Sequence, residues 1–284
     1  MSETTTPHSA DDVNTAAGPM LTIDNLTIGI GPRNNVKSIV KGISLTLSPG
    51  RVQGLAGESG SGKTVTSLAI LGLLPSNAVV GGSIRLGETE LVGLPRRQLN
   101  DIRGRRIAMI FQDPSSSLHP QLMVGTQLTD HVKRHLKYSG KQARAHAIKL
   151  LDRVRVPNPE EALTRYPHQF SGGQRQRIAI AIALACDPVV LLADEPTTAL
   201  DVTVQAGILH LLRDLADERQ LALLLVTHDL GVMSAIADDI AVMRHGEVVE
   251  SNSRQEIFSH PQHAYTRELL ASLPGAAGFQ EATE

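Results

Sequence analysis

Cysteine is nearly absent from this chain of 284 residues: Cys186 is the only one. That excludes a disulfide framework and a zinc or iron–sulfur centre held by several cysteines of this chain, and it points to a reducing compartment. Aromatic residues are almost as scarce, with four Phe, three Tyr and no Trp. Stacking platforms for single-stranded nucleic acid need such rings. An excess of charge of either sign is missing too, since 27 Lys and Arg against 29 Asp and Glu leave −2. The expectation is no nucleic acid partner held by bulk charge. Long apolar runs are also lacking. The most apolar stretch, residues 178–186, is far short of the roughly 20 residues of a membrane helix. Any membrane role is expected to come through a partner.

What is present suffices for a globular core. Hydrophobic residues make up 41%, and with so few rings that core must be built from Ala, Leu, Ile and Val. The length fits one large domain or two small ones. Residues 1–19 are rich in Ser, Thr, Asp and Ala and read as a disordered tail, not a signal peptide. Residues 21–26 alternate as a half-buried strand does, 29–35 read as a turn, and 39–47 again suggest strands. Residues 51–56 form a short strand running into a glycine-rich loop, and 64–74 read as a helix stopped by Pro75. Helix-spaced apolar residues at 122–136 and 141–154 mark a helical insertion, spanning about residues 115–169. A helix follows at 174–185. The all-apolar runs 189–193 and 221–226 look like parallel strands buried on both faces, with a helix at 204–219 between them. That alternation implies an α/β fold. From residue 251 the chain is polar, with one amphipathic helix at 264–272.

The chemistry begins at Gly57-Glu58-Ser59-Gly60-Ser61-Gly62-Lys63-Thr64, which fits G-x-x-x-x-G-K-[ST] between a strand and a helix. Glycines let backbone N–H groups converge on phosphate oxygens, and the helix start adds donors and partial positive charge. Lys63 is expected to reach the β and γ phosphates, and the Thr64 hydroxyl to bind Mg²⁺. A second signal is Asp194-Glu195 at the end of the run 189–193. Ligands bind at that edge of a parallel sheet. Asp194 is expected to hold Mg²⁺ through a water, and Glu195 to orient or deprotonate the attacking water.

Phe170-Ser171-Gly172-Gly173-Gln174 resembles the signature motif of ATP-binding cassette (ABC) ATPases. Gln112, within Ile110-Phe111-Gln112-Asp113-Pro114, resembles the glutamine of that family's Q-loop. Thr198-Ala199-Leu200-Asp201 is similar to its D-loop, and Thr227-His228-Asp229 to its H-loop. The resemblance covers about residues 21–250. It implies a P-loop NTPase fold with a RecA-like parallel-sheet core, an antiparallel β subdomain and a helical subdomain. It implies ATP and Mg²⁺ as ligands, and two such domains stacked head to tail. Each ATP is then sandwiched between one phosphate loop and Ser171, Gly172, Gly173 and Gln174 of the opposite copy. His228 contacts the γ-phosphate, Gln112 senses Mg²⁺ and the attacking water, and Asp201 works across the interface. For Asp201 a plain helix N-cap is the competing reading. The family's adenine-stacking aromatic has no counterpart, since no Phe, Tyr or Trp precedes Phe111. The aligned place falls near Ile30. Adenine is expected to pack there on an aliphatic surface covered by Arg33, with looser nucleotide selectivity.

Within the family, the chain looks most like the ATPase subunits of dipeptide, oligopeptide and nickel importers. The similarity lies in residues 57–66, in 111–120 with His119 where Asn is usual, in Tyr166-Pro167-His168-Gln169-Phe170, and in the tail segment 260–270. The resemblance implies a second, homologous ATPase chain and two membrane permease subunits. It also implies an extracytoplasmic substrate-binding protein acting indirectly, and a place on the cytoplasmic face of the plasma membrane. The groove between the Gln112 loop and residues 115–137 is expected to dock a short helix of the permease. Relatives' cluster-binding cysteines have no counterpart, so no iron–sulfur cluster is expected. Cys186 reads as buried filler. The alternatives are a soluble ABC ATPase and a non-hydrolysing regulatory subunit. The presence of both Glu195 and His228 argues against the latter.

Overall fold

The computed structural model describes residues 18–32, 34–113, 117–198 and 200–272. The tail read at residues 1–19 therefore falls almost wholly outside the described residues, as do Arg33, residues 114–116, Ala199 and residues 273–284.

Two sheets organise the described residues. The first is antiparallel and runs β2-β1-β4-β5, with β1 Leu21–Ile30, β2 Lys37–Leu47, β4 Ala78–Leu86 and β5 Thr89–Glu90. The second runs β10-β9-β3-β8-β7-β6. Its strands β3 (Val52–Ala56), β6 (Ile107–Ile110), β7 (Val190–Asp194), β8 (Ala222–Thr227) and β9 (Asp239–Arg244) are parallel. Strand β10 (Glu247–Ser253) closes the edge antiparallel to β9.

The all-apolar strands are two-faced. Leu191, Ala193, Leu223 and Leu225 pack into a core shared with the helices. Those helices are α3 (Val124–Leu136), α4 (Gly140–Arg153), α6 (Gly172–Ala183), α7 (Val202–Arg219) and α8 (Leu230–Ile236). Their neighbours Val190, Leu192, Leu224 and Val226 pack into a second core, with the antiparallel sheet and α1 (Lys63–Ile70). Side chains of a strand alternate between faces, so a strand covered on both sides needs apolar residues at every position. The short helices α2 (Arg96–Ile102), α5 (Pro159–Ala162), α9 (Arg254–Ser259) and α10 (Ala264–Ala271) complete the described elements. Among the described residues no helix is long and apolar enough to cross a membrane.

Several boundaries differ from the sequence expectation. The turn at 29–35 begins two residues late: Gly29 and Ile30 belong to β1 and pair with β2 on one side and β4 on the other. Ladders on both sides override glycine's preference for turns. The helix expected to run to residue 74 ends at Ile70. There Gly72 takes φ +59°, Gly72 N–H donates to Ala69 O and Leu73 N–H to Leu68 O. This is a Schellman stop, and it acts before Pro75 is reached. The boundary drawn at residue 250 falls inside β10, and the polar segment after it carries α9 as well as α10.

Candidate active site

The parallel strands β3, β8, β7 and β6 lie side by side and deliver their following loops to one sheet edge. The phosphate loop follows β3, Gln112 follows β6, Glu195 follows β7 and His228 follows β8. Residues far apart in the sequence are thus brought together because parallel strands all end at the same edge.

In the loop, Gly57, Gly60 and Gly62 take φ of +148°, +80° and +112°. At Gly57 space is also decisive: a Cβ would lie 2.1 Å from the Met243 carbonyl oxygen. The amide donors of Gly60, Gly62, Lys63 and Thr64 have no acceptor among the described residues. They remain available to an anion at the start of α1. Lys63 is 5% exposed, and its Nζ donates to Gly57 O at 2.6 Å and to Glu58 O at 2.8 Å. An ammonium has three donors, so one is left for a phosphate oxygen. Burial pulls the Lys63 pKa below the ordinary amine range, against the attraction of Glu195, Asp194 and Glu58.

Beside it stands Asp194, 3% exposed, whose Oδ1 has no hydrogen-bond partner. Burial raises its pKa, while a hydrogen bond with Thr64 opposes the rise. An orphaned buried carboxylate oxygen next to a threonine hydroxyl is a donor set that suits Mg²⁺. Among the described residues no three His, Cys, Asp or Glu could hold a metal. A Mg²⁺ site of Thr64, Gln112 and Asp194 therefore fits a cation that takes few protein ligands together with phosphates and waters.

Glu195 is the most constrained side chain. Its N–H still donates to Val226 O at 2.8 Å, but its φ is +47°. The left-handed conformation costs a non-glycine residue about 1–2 kcal/mol. It turns the chain sharply at the strand end, where three groups hold the carboxylate. Gln112 Nε2 donates to Oε2 at 2.8 Å, Thr198 Oγ1 donates to Oε2 at 3.0 Å, and His228 Nδ1 lies 2.8 Å from Oε1. Burial pushes the carboxyl up, but the hydrogen bonds of His228 and Thr198 and the attraction of His228 and Lys63 outweigh it. The Glu195 pKa ends below the ordinary value. The group is a carboxylate at neutral pH, able to accept a proton from water.

The other expected residues lie elsewhere. Ser171 caps α6 in a capping box: its Oγ accepts from Gln174 N–H, and Gln174 Oε1 accepts from Ser171 N–H. The first N–H groups of α6, on Gly172 and Gly173, have no intrahelical acceptor. Asp201 caps α7, accepting from Val204 N–H at 2.9 Å. Ile30, at the end of β1, packs half-buried against the second core. Arg33, expected to cover adenine, lies outside the described residues. The sequence reasoning missed Thr198 as a partner of Glu195, having treated it only as part of a motif. It also missed Tyr265, whose hydroxyl meets the phosphate loop.

A phosphate loop, a buried acid and a hydrogen-bonded carboxylate at one edge of a parallel sheet define a nucleotide hydrolase of the P-loop class. Comparison narrows the class: the ABC transporter family model matches residues 40–198. The chain is 44% identical to the oligopeptide transport ATP-binding protein OppD of Haemophilus influenzae, over 93% of this chain and 81% of that protein. It is 46% identical to the dipeptide transport ATP-binding protein DppD of Bacillus subtilis, over 90% and 77%. Among solved structures, a dimeric post-hydrolysis state of the ATP-binding cassette MJ0796, bound to ADP and Pi, superposes with TM-score 0.72 at 28% identity. It covers 83% of this chain and 99% of that one. The cbiO1 structure from Clostridium perfringens, part of the transporter complex cbiONQ, gives TM-score 0.73 at 25% identity, over 93% and 99%. The chain belongs to the ABC transporter family, as an ATP-binding subunit.

Proposed function

We propose that this chain is the ATP-hydrolysing subunit of an importer of peptides or related small solutes. The observation that carries hydrolysis is the Glu195 carboxylate, kept ionised beside Lys63 and aimed by Gln112, Thr198 and His228. Peptide import is supported by the oligopeptide and dipeptide transport relatives.

In this reading the phosphate loop binds the triphosphate through its free amides and Lys63. Glu195 takes a proton from the attacking water, and His228 faces the γ-phosphate and stabilises the charge that develops there. Thr64, Gln112 and Asp194 would hold Mg²⁺, which supplies charge neutralisation on the phosphates. The exposed start of α6, with Ser171, Gly172, Gly173 and Gln174, serves the ATP of a second cassette, and Asp201 works across that interface. The second cassette is a homologous but non-identical chain. Two stacked cassettes bind ATP better closed than open, so ATP shifts the equilibrium toward closure and hydrolysis releases it.

Two permease subunits receive the motion, and an extracytoplasmic binding protein supplies the solute. The docking place is an apolar hollow of about 260 Å³ between Leu73, Phe111, Leu118, His131 and Ile182. Phe111 and Leu73 are 40% and 43% exposed there. The chain then sits on the cytoplasmic face of the plasma membrane. The domain reading is a cassette over 20–250, with a helical subdomain at about 115–169 and a peptide-importer tail at 251–284.

The test is co-purification with both permeases, followed by a phosphate-release assay. Stimulated ATP hydrolysis that Glu195→Gln abolishes is the expected result. Purification without permeases would favour a soluble ABC ATPase. ATP binding without phosphate release would favour a regulatory subunit.

A further inference from the structure

The segment after β10 touches the nucleotide site. Tyr265, the second residue of α10, is 1% exposed, and its Oη accepts the Glu58 N–H at 3.0 Å. Glu58 lies at the foot of the phosphate loop, before the free amides of residues 60–64. The N–H of Glu58 and the carbonyl of Gly57 belong to one peptide plane. That carbonyl accepts the 2.6 Å hydrogen bond from Lys63 Nζ. One plane is therefore held from two sides, by Tyr265 at its donor and by Lys63 at its acceptor. Hydrogen bonds in such a chain polarise one another.

The tyrosine is itself fixed. The Arg244 guanidinium lies 4.5 Å from the centre of its ring. Its helix is tied down by Glu250, whose two carboxylate oxygens accept the N–H groups of Gln262 at 2.8 Å and His263 at 3.0 Å. His263 Nδ1 in turn caps α10 at the Tyr265 N–H. Burial, above all, keeps the Tyr265 pKa above the ordinary phenol value, so the hydroxyl is neutral.

We propose that Tyr265 is a positioning residue of the phosphate loop. By holding the Gly57–Glu58 peptide it aims the Lys63 ammonium, and through it the docked C-terminal segment sets the affinity for the nucleotide's terminal phosphates. The proposal rests on the reading of the loop as an ATP site. Because coupling is reciprocal, ATP in turn tightens the docking of residues 260–271.

The experiment measures ATP, ADP and AMP binding to the full chain by calorimetry, for the parental protein, Tyr265→Phe and Glu250→Gln. Phenylalanine keeps the ring under Arg244 and removes only the acceptor. The net worth of one neutral hydrogen bond corresponds to a change of about two- to tenfold in an equilibrium constant. Tyr265→Phe is expected to weaken ATP and ADP binding by about fivefold and to leave AMP binding unchanged. Glu250→Gln, which loosens the segment but keeps the phenol, is expected to weaken ATP binding in the same direction. Amide exchange of residues 264–271 is expected to slow with ATP in the parental chain, and not in Tyr265→Phe. Parental ATP affinity in both variants would overturn the proposal and leave the ATP site standing. So would equal weakening of ATP and AMP binding, which marks a general loss of structure. A parental chain that fails to bind ATP would overturn the loop reading and the proposal together.

Discussion

Replacing Thr198 by valine removes one of the three contacts that hold the Glu195 carboxylate and keeps the branched shape of the side chain. The hydroxyl donates to Oε2 at 3.0 Å, the same oxygen that Gln112 Nε2 reaches at 2.8 Å, while His228 stays on Oε1. A hydrogen bond to a charged group is worth about 1.5–3 kcal/mol net. Thr198 is exposed, so water replaces part of the lost donor, and about 1 kcal/mol remains. At 1.36 kcal/mol per factor of ten this slows hydrolysis by about fivefold. The pH profile moves as well. The bond favours the ionised carboxylate and helps to hold its pKa below the ordinary value. Removing it raises that pKa. A base works above its pKa and fails as pH falls through it, so the acid limb of the variant shifts to higher pH. The assay is phosphate release by the assembled transporter across pH, with KM for ATP measured in parallel. KM is expected to stay unchanged, because Thr198 makes no contact with the phosphate loop among the described residues. An unchanged rate with an unchanged acid limb, or a raised KM at constant kcat, would refute the assignment of Thr198 to the base.

Glu195→Gln removes the proton acceptor and keeps the shape, so the variant should hold ATP in a closed pair of cassettes without turnover; size-exclusion chromatography and phosphate release read both effects. Cys186 is 4% exposed and its thiol is pushed up to about 11, chiefly by burial. Reaction with a thiol reagent at pH 8 should therefore track global unfolding in urea, and rapid labelling of the folded chain would contradict its burial. Leu224, fully buried in β8 within the second core, should cost about 3 kcal/mol on replacement by alanine, seen as a lower urea midpoint with unchanged slope. Glu250 lies below the ordinary carboxylate pKa: burial opposes this, but hydrogen bonds from the Thr266 side chain and the Gln262 and His263 amides outweigh it. Its contribution to docking α10 is present above pH 4.5, the ordinary value, and is lost as pH falls through the lower folded value. Amide exchange at residues 264–271 should stay slow at pH 6 and quicken only in stronger acid.

The helices and buried strands were legible because their signals are local. Val190–Asp194 and Ala222–Thr227 declare burial on both faces through unbroken apolar runs. Residues 122–136 and 141–154 carry helical spacing, and the structure places α3 and α4 within two residues of those limits. The strands that escaped notice have weaker patterns. Ala78–Leu86 contains two adjacent glycines and is largely exposed on one face, and Glu247–Ser253 is polar along most of its length. Both are strands because neighbours with strong patterns, β1 and β9, pair with them. Sheet pairing of this kind is tertiary context acting on weak local preference.

The site divides along the same line. The loop 57–64, Asp194 and Glu195 stand beside a strand end in the sequence, so the reason for their residue types is visible there. The contacts of Thr198 and Tyr265 are not of that kind. Thr198 is a small polar residue near a helix start, and nothing local separates an N-terminal helix residue from a partner of the base. Tyr265 lies 207 residues from Glu58, in a segment whose amphipathic spacing accounts for its burial without reference to any nucleotide. Its hydroxyl is the one polar atom that the apolar face of α10 carries inward, and a buried phenol must find a hydrogen-bond partner. The partner it finds is the backbone of the phosphate loop. Phenylalanine would serve the packing of α10 equally well. The hydroxyl therefore answers to the loop rather than to the helix, and the Tyr265→Phe comparison separates those two demands.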